Sequence, residues 1–322
     1  VWNGIVWNDV GGGLNGEVSS LVVFNNELIA AGTFTLAGGS VTVSNIAKWN
    51  GSSWSALGSG TGGPVYALVV FNNELIAAGS FTTAGGNNCN NIARWNGSTW
   101  QPMGSGFNTF VRALTIHNNQ LIAGGFFTTS GAVTVNRIAQ WNGTAWQPIV
   151  DGFNNQVSSL ASNGTELYAG GNFTQSGSIS LSRIAKWNGS AWQPLGSGFD
   201  GTVNSLYFNN GSLYAGGNFS NSGSAALSKI AWWDGNTWNP SGQGFNNPVL
   251  AFLKLGTNFY CAGDFNISGN EQIKYIAVSD TSSRVWSQIE NGCNNSVLAS
   301  ILYNGSLVAA GSFTAAGIDS AK

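Results

Sequence analysis

Acid–base, nucleophilic and metal chemistry need side chains that this chain holds in short supply: one His, three Cys and thirteen carboxylates among 322 residues. His117 stands alone, so a Ser-His-Asp arrangement would have to be built on that one residue. Carboxylates recur at one repeated position only, as Glu27, Glu74 and Glu166, within turns. No oxygen-ligand set for calcium is visible among them, although backbone carbonyls would leave no trace in a sequence. Cys261 lies in an apolar run and reads as a small core residue, while Cys89 and Cys293 fall in loops. Without paired spacing, neither a disulfide framework nor a metal site follows. Eleven Asn-x-Ser/Thr sequons are present. Asn50, Asn96, Asn142, Asn163, Asn188, Asn210 and Asn304 are the glycan acceptors to expect in a secreted eukaryotic protein, yet Asn-Gly-Ser/Thr is also what a hairpin turn demands. The expectation is a protein that is not an enzyme, with no cofactor and no metal.

Two recurring positions could bind rather than react. Four residues before a repeated Val stand Leu14, Thr61, Phe107, Phe153, Phe199, Phe245 and Cys293. Phe107, Phe153, Phe199 and Phe245 either form an apolar ring that meets a ligand or pack inside the fold. Basic residues recur as Lys48, Arg94 and Lys186 before a Trp and as Arg137, Arg183 and Lys229 before an Ile. An anion site would need them to converge; solvated edges, or aliphatic stems lying over Trp, need no convergence.

The elements that position these residues repeat. IARWNGSTW at 92–100 recurs at 46–54, 138–146, 184–192 and 230–238, each time as two apolar runs joined by Asn-Gly or Asp-Gly. That is a hairpin signal, read as a type I′ turn with both central residues at positive φ. A Trp flanks the turn on each side, five residues apart, as in Trp95 and Trp100. A second marker, small-Gly-x-Phe, places its Gly at Gly32, Gly79, Gly125, Gly171, Gly217, Gly263 and Gly311, at intervals of 46 to 48 residues. A period of this length marks a solenoid or a propeller.

The contents of one unit decide between them. VYALVVF, LIAAGSF, IARW and WQPM within 65–103 read as four strands, and no window has helical period. The expected fold is therefore all-β: a seven-bladed β-propeller of four-stranded antiparallel blades. It forms one domain over 1–322, with the seventh blade shared between about 297–322 and 1–10, because Trp2-Asn3-Gly4 followed by Trp7 matches the hairpin that the C-terminal strands lack. Pairing of the two ends in one blade would abolish a free edge. The repeated Gly of small-Gly-x-Phe is expected where a Trp or Phe of an adjacent blade approaches the backbone. Strand alternation puts the second-to-third and fourth-to-first connections on one face, with the longer loops, and the Asn-Gly hairpins on the other. Binding sites favour the loop face.

This succession resembles the kelch repeat of galactose oxidase-like propellers, with the diglycine position at Ala31-Gly32 through Ala310-Gly311 and the third-strand aromatic at Trp49, Trp95, Trp141, Trp187 and Trp233. More closely, the phrase IAxWNGxxWxxLGxG is similar to repeats of large extracellular proteins of Bacteroidetes-type bacteria and of a fungal cortical polarity marker. The resemblance covers the chain and implies the fold; it implies little about activity. A copper site of the galactose oxidase kind lacks its ligands, since His117 is the only His. Gly97 and Trp100 have the spacing of the Asp-box of sialidases, but Trp95 occupies the Asp position.

Composition bounds the partners. Charged residues are 7% and net charge is -2, so nucleic acid and a polybasic membrane contact are not expected. No apolar run approaches the ~20 residues of a membrane span. No signal peptide is visible, and Val1 in place of Met suggests a processed chain or a segment of a longer one. The expected function is that of a non-catalytic extracellular or cell-surface propeller, a rigid protein-binding or structural module of a larger assembly whose partner is another surface or secreted protein. The alternative is a lectin-like, carbohydrate-binding propeller that meets a polysaccharide through exposed aromatics. A propeller hydrolase, the third class, would need a deep pocket with paired carboxylates near the pore.

Overall fold

Each repeat folds from its reversals outward. Val65–Phe71 pairs antiparallel with Glu74–Gly79 across Asn72-Asn73, whose φ angles of 50° and 61° are those of a type I′ turn. Asn tolerates this left-handed backbone better than other non-glycine residues. The second strand pairs with Ile92–Trp95 and that with Trp100–Pro102, giving a sheet of four strands ordered as in the sequence. The computed structural model describes residues 1–209, 211–280 and 283–317; Asn210 and the tail 318–322 of the expected shared blade lie outside the described residues.

Six four-stranded sheets of this kind are present among the described residues, which corrects the expectation of seven. Val297–Tyr303 and Ser306–Gly311 form only a two-stranded sheet. The N-terminal segment adds single-residue bridges to it, Trp2 to Leu307 and Trp2 to Trp7. The physical reason is pairing: Trp2 alone reaches Leu307, as Trp95 reaches Leu75 in a complete blade, and a single bridge does not make a strand. The inner strands nevertheless run in a closed ring, since Val297–Tyr303 packs against Val18–Phe24 on one side and Val249–Leu255 on the other. The chain is a β-propeller of six complete blades, with this hairpin between the sixth and the first.

The Asn-Gly reversals are not the type I′ turns expected. Trp95 pairs with Trp100 across four residues, and of these only Gly97 has positive φ, at 100°. Asn96 instead turns the chain with its side chain, its Oδ1 accepting from the backbone N–H of Ser98 and Thr99 at 3.0 and 2.9 Å. Asn50, Asn142, Asn163, Asn188 and Asp234 do the same, so the motif encodes an Asx turn.

Blades are joined by tryptophan. The rings of each pair lie 5.2–5.5 Å apart and tilted, as in Trp141 and Trp146. The second Trp is buried, and its indole Nε1 donates to a carbonyl of the preceding blade: Trp54 to Val10, Trp100 to Leu57, Trp146 to Met103, Trp238 to Leu195 and Trp286 to Ser241. Burying one such ring contributes about 2–3 kcal/mol. The hydrophobic clusters accordingly straddle blade boundaries, as where Ile29, Ala31 and Ile46 meet Val65, Leu75 and Trp100.

The repeated glycine has a cause other than the one expected. A Cβ on Gly79 would overlap the Pro64 carbonyl oxygen, which belongs to the lead-in of the same blade's inner strand. The approach follows from a β-bulge between the first and third residues of that strand, Val65 and Ala67, which recurs in the other blades. The neighbouring blade's Trp presses on a different glycine: Gly58, whose Cβ would sit 2.9 Å from Trp95. Among the described residues no helix is long and apolar enough to cross a membrane.

Candidate functional site

The residues with reactive side chains are engaged in the fold. His117 ends the inner strand Val111–His117, buried, with Nδ1 3.0 Å from Ser162 Oγ and Nε2 3.2 Å from Asn118 Nδ2. Burial holds its pKa below the usual value. All three thiols are free and buried, and burial pushes Cys89 and Cys261 up and Cys293 up to about 12. Among the described residues no group of three or more His, Cys, Asp or Glu is placed to hold a metal ion.

The recurring charges find local partners. Lys48 pairs with Glu27 at 2.9 Å, Arg94 with Glu74 at 3.3 Å and Lys186 with Glu166 at 2.5 Å, all on the hairpin face. The hydrogen bond from Lys186 holds the Glu166 carboxyl below its usual pKa. The second basic set caps backbone: Arg137 donates to the Phe126 carbonyl at 3.0 Å, Arg183 to that of Phe199 at 2.8 Å, and Lys229 to that of Asn218 at 3.1 Å. They do not converge on an anion site.

The four phenylalanines expected on the binding face are interior, at 2–4% exposure. Phe107, Phe153, Phe199 and Phe245 stack on Phe127, Phe173, Phe219 and Phe265 with centroids 4.0–4.1 Å apart. The connection between blades is drawn inward because the Phe107 N–H donates to the Asn90 carbonyl at 2.8 Å, a bond repeated at Phe153, Phe199 and Phe245. The ring of phenylalanines is thus part of the core and not a surface. Asn50, Asn96, Asn142, Asn163, Asn188 and Asn304 are all exposed, on the hairpin-face turns, while Asn210 is outside the described residues.

The loop face has an aromatic patch that no period announces. Tyr66 and Arg112 are the bulged second residues of two adjacent inner strands, so both are pushed out of the ladder at the rim of the axis. The Arg112 guanidinium lies over the Tyr66 ring, 4.8 Å from its centroid. Phe110 meets Tyr66 edge-on at 6.0 Å and Phe126 at 4.3 Å. The three rings are half-buried and Arg112 is exposed. Such a patch offers apolar ring surface at mixed tilts, 71° between Tyr66 and Phe110 and 32° between Phe110 and Phe126, beside one cation. Only coincidence of position in the ring could have shown it in the sequence, because Tyr66, Phe110, Arg112 and Phe126 fall at three different repeat positions, each occupied by small or polar residues in most other blades.

Comparison with known proteins agrees with the architecture. The family described as a domain of unknown function (DUF5122) β-propeller matches residues 72–97. No curated protein matches the chain. A computationally designed protein, Ika8, superposes with a TM-score of 0.59 at 14% identity over 93% of this chain and 95% of that one. The extracellular domain of a putative one-component system, BT4673, from B. thetaiotaomicron superposes with a TM-score of 0.65 at 12% identity over 96% of this chain. A second structure of that extracellular domain, described as belonging to a putative hybrid two-component system, gives the same values. This chain spans 39% of that domain. At these identities the likeness is one of fold.

Proposed function

We propose that the chain is a non-catalytic β-propeller that works outside the cell or at its surface, as a rigid binding or structural module of a larger assembly. The observation that carries this reading is the division of labour between interior and faces. The second Trp of each hairpin and the repeated Phe107, Phe153, Phe199 and Phe245 are buried in the interior, the one His has both ring nitrogens engaged, and the repeated carboxylates sit in ion pairs. What varies from blade to blade is the loop face. Its partner is another surface or secreted protein, and the chemistry needs no cofactor. The extracellular setting of the BT4673 domain supports the location. The diglycine and third-strand aromatic positions support a grouping with kelch-like propellers.

The test is to immobilise the purified chain, expose it to the surface fraction of the source cells, and identify what is retained through cross-links to the loop face. Retention of a specific protein through that face supports the reading. Turnover of any ester, peptide or glycoside by the purified chain, lost when His117 is replaced, would overturn it.

A second reading, a carbohydrate-binding propeller, is favoured by one observation, the half-exposed Tyr66, Phe110 and Phe126 beside Arg112 on the loop face.

A further inference from the structure

We propose that Tyr66, Phe110, Phe126 and Arg112 form a binding site for a saccharide that carries a carboxylate, such as a uronic acid residue. The inference rests on the second reading above and names its ligand class. Aromatic faces pack against the C–H faces of sugar rings, and a guanidinium resting over Tyr66, its Cζ 4.8 Å from the ring centroid, makes no hydrogen bond there and keeps its N–H fork for a planar, two-oxygen acceptor.

Arg112 is a cation with hydrogen-bonding capacity left to bind a ligand. Among the described residues it has no ion pair and no hydrogen bond, whereas Lys48, Arg94, Arg137, Arg183, Lys186 and Lys229 are all engaged. The surrounding rim matches a polyhydroxylated ligand. At the bulge position of the inner strands on either side stand Ser19 and Ser158, and Gln156 Nε2 donates to Ser158 Oγ at 3.2 Å; farther round the ring that position holds Asn204, Leu250 and Leu298. The carboxylate of Glu17, one blade away, is held by two hydroxyls, accepting from Ser19 Oγ at 3.3 Å and from Ser312 Oγ at 3.0 Å. Three rings and one cation are few beside the roughly 20–30 residues a side of a stable protein interface.

The experiment is calorimetric titration of the full chain with a short oligogalacturonate and with the same oligomer fully methyl-esterified. The acid form should bind at least tenfold more tightly, with affinity that falls as salt rises. Arg112→Ala and Tyr66→Ala should each lose tenfold or more, Arg112→Lys should recover only part because an ammonium lacks the fork, and Arg94→Ala on the opposite face should change nothing. Unaltered near-UV circular dichroism and melting midpoints show that the variants are folded. Equal binding of acid and ester, or full affinity in Arg112→Ala, sinks the carboxylate site while leaving a sugar-binding propeller standing. Tighter binding of an acidic peptide than of any saccharide also sinks it and moves the patch to protein recognition. Silence toward every saccharide up to millimolar concentration removes both this site and the sugar-binding reading, and leaves the structural module.

Discussion

Val150 shows how single positions carry the fold. In four other blades the residue two places after the fourth strand is Gly58, Gly104, Gly196 or Gly242, at φ of 59–61°, and in the sixth it is Glu290 at 48°. Val150 adopts φ 45° at that place although it is β-branched. The same joint holds the defect in the series of indole bonds: Trp192 Nε1 is buried without an acceptor, where its counterparts reach the preceding carbonyl. Relief of left-handed strain is worth about 1–2 kcal/mol, and the extra freedom of glycine in the unfolded chain returns about 0.5–1 kcal/mol of it. Val150→Gly should therefore stabilise by about 1 kcal/mol, seen as a higher urea midpoint at unchanged slope. A lower midpoint would show that the valine is not strained. His117 gives a pH prediction. Its folded pKa is depressed by burial, so its contribution to stability is present above the unfolded value of 6.5 and is lost as pH falls through the folded value. In His117→Asn the decline in stability between about pH 7 and 5 should flatten; an unchanged decline would assign it to other groups.

At the scale of the element, the Trp hairpin combines an apolar load with a polar bond, and the two can be separated. Trp146→Phe leaves the Met103 carbonyl buried without its donor, whereas Trp192→Phe removes an N–H that has no acceptor. The first should cost about 1–2 kcal/mol more than the second. Equal losses in chemical denaturation would mean that the indole bond contributes little. These hairpins were legible because both Trp and the Asn-Gly recur at fixed spacing. Their turn geometry was not, because Asn-Gly is shared by two solutions and the Asx side-chain bond outcompeted the two-residue reversal, which went to Asn72-Asn73. Burial of Phe107 and its repeats was equally invisible, since an apolar residue in a loop looks the same whether the loop is drawn inward or stands out. The Tyr66–Arg112 patch has no repeat at all, so periodicity could not reveal it. The blade count erred because the Trp-Asn-Gly motif at residues 2–4 meets the C-terminal hairpin through single bridges and not as paired strands.

At the scale of the whole molecule, the ring depends on a thin joint. Trp7 is buried in one cluster with Ala262, Ile276 and Leu307, and among the described residues Trp2 alone bridges the N-terminal segment to that hairpin, at Leu307. Trp7→Ala should destabilise by about 3–5 kcal/mol and should make 297–317 the first segment cut in limited proteolysis. Cleavage elsewhere first would show that the joint is not the weakest part. The same joint has a topological corollary. Val1 and Ala316 line one small cavity, and the Trp2 N–H donates to the Leu307 carbonyl at 2.8 Å, so these two stretches of chain are neighbours in space. A short linker could splice them, and fresh ends could be opened in any exposed reversal such as Asn96-Gly97. Circularly permuted versions of this protein should reach the same architecture from several starting points.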